Sequence, residues 1–366
     1  MKNLFSSSEL EGTRDKVLAG ERLTREDGIK LMQNNDLLTI GYLADYVRQK
    51  KCGDEVYYIK NRHINHTNVC EVQCKFCAFG RKKDEDDAYT MGLEEITKAI
   101  EKSPEGITEL HIVGGCHQNL SLEYFEEMLT LAKDKLPKVY IQAFTAVEIA
   151  YLADKSDLTI QETLKRLKKA GLDSIPGGGA EVFSLRVRDE VCPDKISGDR
   201  WLSVMKTAHE LGIRTNATML YGHVETLEER IDHLIKLREL QDKTNGFLAF
   251  IPLPFHPDNT ELDSLSSTTG YDDLKVLAIS RLMLDNFDHI KAFWIMLGPK
   301  LAQVSLSFGV DDLDGTVIEE RITHDAGAQT KQGLTETEII NMIEKAGRIP
   351  VERDTVYNHI EDVSQE

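Results

Sequence analysis

From Val56 onward, short apolar runs alternate with longer amphipathic segments, and this alternation constrains the fold more than any other feature of the chain. Candidate strands are Val56–Ile64, Glu109–Val113, Val139–Phe144, Asp173–Ile175, Thr215–Leu220, Gly246–Ile251 and Lys291–Met296, with an eighth between Val304 and Ile318. Helices with readable starts lie between them. Ser121 precedes an apolar helical face, and Thr159/Glu162 and Thr226/Glu229 are capping-box pairs. Gly171 and Gly212 stand where helix C-termini favour glycine. Strand–helix alternation over seven or eight units predicts a parallel sheet with right-handed crossovers. The unit count fits a TIM-like (β/α) barrel, complete or nearly complete. No glycine-rich dinucleotide fingerprint or P-loop follows the first strand, which weakens an open doubly wound sheet.

Both ends lie outside the repeat. Residues 1–51 read as a helical element, with a capping box at Thr24/Asp27 and a second face of Ile40, Leu43, Ala44 and Val47. Residues 52–320 are the expected barrel. Residues 321–366 form an extension whose helix, capped by Thr335/Glu338, covers the barrel. The net charge of −18 repels phosphate backbones, and no basic stripe offsets it, so nucleic acid is not an expected partner. No window approaches the roughly 20 apolar residues of a membrane span, and the start has no signal-like apolar core. A cytoplasmic protein is expected, with no membrane partner.

Three of the six cysteines fall within eight residues, His66-Thr-Asn-Val-Cys70-Glu-Val-Gln-Cys74-Lys-Phe-Cys77-Ala-Phe-Gly-Arg81. Thiolates spaced C-x3-C-x2-C on a loop directly after strand one can converge on a soft metal centre. A structural zinc wants four ligands, and His66 or His117 would be needed to complete one, as in a zinc-stabilised binding module. An electron-transfer cluster also takes four cysteines. Three ligands on a four-iron cube leave one iron open. Cys52 and Cys192 are expected to be inert bystanders.

The C-x3-C-x-aromatic-C string, with Phe76 as the aromatic residue, resembles the signature of the radical S-adenosylmethionine (SAM) superfamily. The resemblance implies a [4Fe-4S] cluster on Cys70, Cys74 and Cys77 whose open iron is chelated by SAM. A reduced cluster would then cleave SAM to methionine and a 5′-deoxyadenosyl radical. Gly114-Gly115-Cys116 looks like the family's element for the methionyl amino group, although Cys116 replaces its usual acid. Glu181, after Pro176-Gly-Gly-Gly-Ala, falls where the family contacts the ribose. Met219-Leu-Tyr-Gly222-His-Val-Glu225 resembles its adenine-contacting element.

The strings NHTNVCEVQCKFCAFGR, VGGCHQ, QAFTAVEI, IPGGGAEVF, TNATMLYGH and FIPLPFHPDNT resemble one subgroup, which holds the futalosine-route menaquinone enzymes and the deazaflavin-forming synthase subunits. Within it, 311–328 is most similar to the aminofutalosine synthases. This implies radical addition of the adenosyl group to an aromatic enol-ether dicarboxylate, 3-[(1-carboxyvinyl)oxy]benzoate, and an electron donor such as flavodoxin or ferredoxin. Sister enzymes that cyclise dehypoxanthine futalosine or form deazaflavin are the nearest alternatives. Arg81, His66, Arg321 and His324, with His117 and His223, are candidates to hold the carboxylates, arginine being suited to bidentate binding. His256, in a stiff proline-rich loop, could shape the pocket. Asp311, Asp312, Asp314, Glu319 and Glu320 read as a solvated acidic stretch.

Overall fold

The computed structural model describes residues 8–360; residues 1–7 and 361–366, which open and close the two end segments, lie outside it. Its strands in chain order are β1 (Glu55–Ile59), β2 (Asn61–Ile64), β3 (Glu109–Ile112), β4 (Tyr140–Ala143), β5 (Ser174–Ile175), β6 (Arg214–Tyr221), β7 (Phe247–Pro254), β8 (His289–Ile290), β9 (Asp312–Gly315) and β10 (Ile349–Glu352). Strands β2 to β8 form one sheet in sequence order, parallel throughout. Each neighbour is reached through intervening helix, as parallel pairing demands. The segment 311–318 bridges the sheet's two edges. Ala292 N–H donates to Asp312 O at 2.8 Å, and His63 N–H donates to Ile318 O at 2.9 Å. The result is the expected TIM-like barrel, closed on one side by these few bonds.

Three strand expectations differ in detail. The run 56–64 is split at Lys60, because its first half pairs with β10 and β9 in a separate three-stranded parallel sheet while its second half joins the barrel. The run 291–296 does not continue as strand. After β8 the chain turns into the helix Trp294–Leu297, where the Trp294 indole donates to Gly315 O at 2.8 Å. Short apolar runs do not distinguish strand from buried helix. The eighth strand is β9, whose sequence DLDG is buried at every position. The stretch beginning at Asp311 is therefore not a solvated acidic face. Asp311 pairs with Arg281 and with His289 (2.7 Å), and Asp312 with Arg353 (2.7 Å). Buried carboxylates survive there because each has a partner. Glu320 is also buried, whereas Glu319 is half exposed.

The helix boundaries follow the local signals. Capping boxes form at Thr24, Thr159, Thr226 and Thr335. Ser121 occupies its N-cap position without a capping side-chain hydrogen bond. The helices Arg25–Gln33 and Leu37–Cys52 pack on Gly270–Met283, and Gly41 is needed there, since an added Cβ would stand 2.5 Å from the Phe308 ring. The helix Glu336–Lys345 buries Ile339 and Ile343, then returns as β10 beside β1, a strand the sequence reading did not anticipate. No described helix is long and apolar enough to cross a membrane.

Candidate active site

The loop after β2 is held partly by its own backbone and partly by neighbouring segments, with Glu71 N–H donating to Cys116 O (3.0 Å) and Lys75 N–H to Val191 O (2.9 Å). Cys70 N–H donates to Arg81 O (3.0 Å), Arg81 N–H to Asn68 O (2.8 Å), and the Asn68 side chain holds Asp87 and Tyr89. This curl presents Cys70, Cys74 and Cys77 to one cavity of about 350 Å³, which runs down into the barrel interior. Backbone amides point at the sulfurs: Cys116 N–H lies 3.4 Å from Cys70 Sγ and Gly80 N–H 3.3 Å from Cys77 Sγ. Such donors stabilise thiolates, and cluster sulfurs characteristically receive them. Hydrogen bonding from the Cys116 thiol, aided by that amide, brings Cys70 down to about 6. Cys77 is pushed up by burial, and Cys74 first by its hydrogen bond with Cys192. Among the described residues no three His, Cys, Asp or Glu side chains are grouped to hold a single metal ion. A cube, in which each thiolate binds a different iron, makes no such demand on the sulfurs. With three thiols at one cavity end and N–H donors aimed at two of them, the residues present fit an iron–sulfur cluster.

Gly114 and Gly115 follow β3 and pass close under this loop. A Cβ on Gly115 would stand 2.2 Å from Val69 O, and one on Gly114 would stand 2.5 Å from the His66 ring. No larger residue fits either place. Gly114 N–H donates to Glu148 Oε1 at 3.0 Å, and the other carboxylate oxygen accepts from Thr145 N–H at 2.7 Å. Glu148 is the third residue of the helix Ala146–Lys155 and completes its capping box. Burial pushes its carboxyl up to about 7. The Thr145-x-x-Glu148 spacing is a local signal for the capping box, and nothing in it points to Gly114.

Glu181 lines the next wall of the cavity, in the left-handed region at φ +46°. It pairs with Lys195 at 2.7 Å, both side chains nearly buried. Burial opposes ionisation of Glu181, but the Lys195 ammonium outweighs it and holds the carboxyl below its ordinary value. The same ammonium sits 5.0 Å from the centre of the Phe76 ring, above the cysteine loop. No sequence signal singled out Lys195, which lies between helices. Gly222 and Glu225 do not line the cavity. Glu225 accepts from the Gly222 (2.6 Å) and His223 (2.9 Å) amides and so closes the turn after β6.

The six side chains expected to hold substrate carboxylates are likewise absent from the cavity lining. Arg81 is spent on its own loop, bonding Asp87 (2.7 Å) and Ala78 O (2.6 Å). The His66 ring is fully buried, 5.4 Å from that of Phe125, and props Gly114. Arg321 is exposed and lies 5.5 Å over Tyr89. His324 binds Glu320 and Thr330 O, and the Glu320 hydrogen bond raises it to about 9. His117 accepts from Asn119 N–H (2.9 Å), and His223 bonds Leu220 O (3.0 Å). His256 does line the cavity. The polar side chains that reach the deeper cavity include instead His63, His111, Gln142 and Lys291, with the carboxylates of Glu109 and Asp314, on or beside barrel strands. Inward-facing strand positions cannot be separated from outward ones until the barrel's curvature is known.

Comparison with known proteins gives the family. Residues 64–237 match the radical SAM superfamily, and residues 244–366 match the CofH/MqnC C-terminal region. The chain is 49% identical, over 94% of its length and 94% of the relative's, to an aminodeoxyfutalosine synthase of Thermus thermophilus. It is 42% identical, over 94% of its length and 96% of the relative's, to a 5-amino-6-(D-ribitylamino)uracil–L-tyrosine 4-hydroxyphenyl transferase of Methanothermobacter thermautotrophicus. In fold it is similar to methylornithine synthase, with a TM-score of 0.74 over 92% of this chain and 96% of that one, at 19% identity. A barrel with a three-cysteine loop after its first barrel strand, and sequence identity of this extent, make the chain a member of the radical SAM superfamily.

Proposed function

We propose that this radical SAM enzyme is an aminodeoxyfutalosine synthase. It transfers the deoxyadenosyl group of SAM onto the vinyl carbon of 3-[(1-carboxyvinyl)oxy]benzoate, with aryl migration and loss of one carboxylate. The observation that carries this reading is the 49% identity with a synthase of that name, sustained over 94% of both chains. In this reading Cys70, Cys74 and Cys77 hold a [4Fe-4S] cluster, which supplies the electron that cleaves SAM, delivered by a flavodoxin or ferredoxin. Residues 52–320 serve as the catalytic barrel, with 1–51 and 321–366 as flanking elements.

The chain's own residues orient and enclose. Glu148 fixes the Gly114 backbone so that the methionyl end of SAM meets a rigid turn. Glu181, held ionised by Lys195, offers an acceptor for ribose hydroxyls. Apolar side chains such as Leu253, Phe293 and Met296 keep the cavity dry, as a reactive radical requires. The test is anaerobic reconstitution with SAM and the vinyl ether, followed by mass analysis of the nucleosides. A covalent adenosine adduct is expected; stoichiometric free 5′-deoxyadenosine without adduct would overturn the reading. The 42% identity with the tyrosine-dependent transferase supports a second reading, in which the enzyme, given tyrosine and the ribitylaminouracil in place of the vinyl ether, consumes those two instead.

A further inference from the structure

The part of the cavity inside the barrel strands, below the cysteine loop, carries one buried cation. Lys291 follows β8, is 6% exposed and lines the cavity. Among the described residues no hydrogen bond reaches its ammonium, and the carboxylate within ion-pair range, Asp314, stands off at 3.7 Å. At that separation Asp314 makes no hydrogen bond with the ammonium, and burial pushes its carboxyl up from the ordinary value. Beside it the His63 ring stacks on His111 at 4.3 Å, and His63 Nε2, buried, has no partner among the described residues. Burial lowers both histidines, so the positive charge here belongs to Lys291. A buried ammonium has three N–H donors, and none of these is hydrogen-bonded among the described residues, so an anion entering the cavity would find them available. The adjoining wall is apolar, with Leu253 and Phe293.

We propose that Lys291, with His63 beside it, forms an anion subsite that binds the ring carboxylate of an aromatic acid. The assignment of that acid as the vinyl ether rests on the function proposed above; the subsite itself does not. Because Lys291 and His63 lie at strand level and the cysteines on a loop beyond the strand ends, a carboxylate anchored here directs the far end of the molecule up to the cysteines. For the vinyl ether this seats the benzoate below and turns the vinyl carbon towards SAM.

The experiment is calorimetric titration of benzoate and of benzamide into the cluster-loaded protein, alongside Lys291→Gln, Lys291→Met and Lys291→Arg. The intact protein is expected to bind benzoate at least tenfold more tightly than benzamide. Lys291→Gln and Lys291→Met should lose that preference, and Lys291→Arg should keep it. Equal affinities in the intact protein, or a preference that survives in either neutral variant that folds, would overturn the subsite. Turnover separates the two claims. An adduct from the intact protein whose KM for the vinyl ether is unchanged in Lys291→Gln removes the subsite and spares the function. A Lys291-dependent benzoate preference with no adduct spares the subsite and removes the function.

Discussion

Glu148 binds the backbone of Gly114 across 34 residues of chain, at 3.0 Å, so that one carboxylate both caps a helix and fixes the glycine turn at the cavity wall. Glu148→Ala leaves two amides without their acceptor and is expected to cost about 2 kcal/mol of stability. KM for SAM should rise more than kcat falls, with Glu148→Gln intermediate. Thermal melts and SAM-cleavage kinetics check this; an unchanged KM in the alanine variant would refute the positioning role.

The cysteines divide by contact. Replacing Cys70, Cys74 or Cys77 by alanine should abolish SAM cleavage and lower iron and sulfide content. Cys52→Ala should change neither. Cys192→Ala, a buried free cysteine outside the triad, should likewise change neither. Iron analysis and anaerobic SAM-cleavage assays distinguish the two classes.

Gly115→Ala tests the close approach beneath the cysteine loop. Its Cβ would stand 2.2 Å from Val69 O, a backbone atom that cannot rotate away. Soluble protein with sharply reduced cluster incorporation is the expected outcome, measured by the visible absorbance of the reconstituted protein.

Lys195 and Glu181 are a buried pair at 2.7 Å. Lys195→Met strands a buried carboxylate and should destabilise the fold by about 3–5 kcal/mol. Adding Glu181→Gln should restore most of this loss. Denaturant unfolding of the two single variants and the double variant gives the coupling energy, and strict additivity would show the pair to be uncoupled.

His324 and Glu320 give a pH dependence with a definite sign. The hydrogen bond to Glu320 raises His324 to about 9, above the roughly 6.5 of an unfolded histidine. The folded segment binds the extra proton, so its stabilisation is complete below about pH 6.5 and is lost as pH rises through about 9. Hydrogen exchange across 320–330 should quicken over that window beyond the chemical rate, and His324→Gln should flatten the change. A profile identical in both proteins would exclude the linkage.

Much of the fold was legible in the order of residues, because helix caps and apolar periods are local. The boxes at Thr159, Thr226 and Thr335 need residues only three apart, and all three form. The spacing of Cys70, Cys74 and Cys77 is local too, and the loop that bears them folds partly on itself. What depended on chain closure was not legible. The stretch 311–314 reads as acidic coil because its partners are distant in sequence: Asp311 pairs with Arg281 and His289 upstream, and Asp312 of β9 with Arg353 downstream. Arg81, Arg321 and His324 have the chemistry for carboxylates but are held by neighbours outside the cavity.

The sequence by itself determined a strand–helix barrel with three thiols on one loop, since both follow from short-range spacing. Only the tertiary structure decided which charges face the interior. It removed Arg81 and His66 from the cavity and brought in Lys291, Lys195 and Glu148 from separate parts of the chain. The physical reason is that burial and pairing are set by contacts between distant residues, and the free energy of a buried charge depends on those contacts rather than on its sequence neighbours.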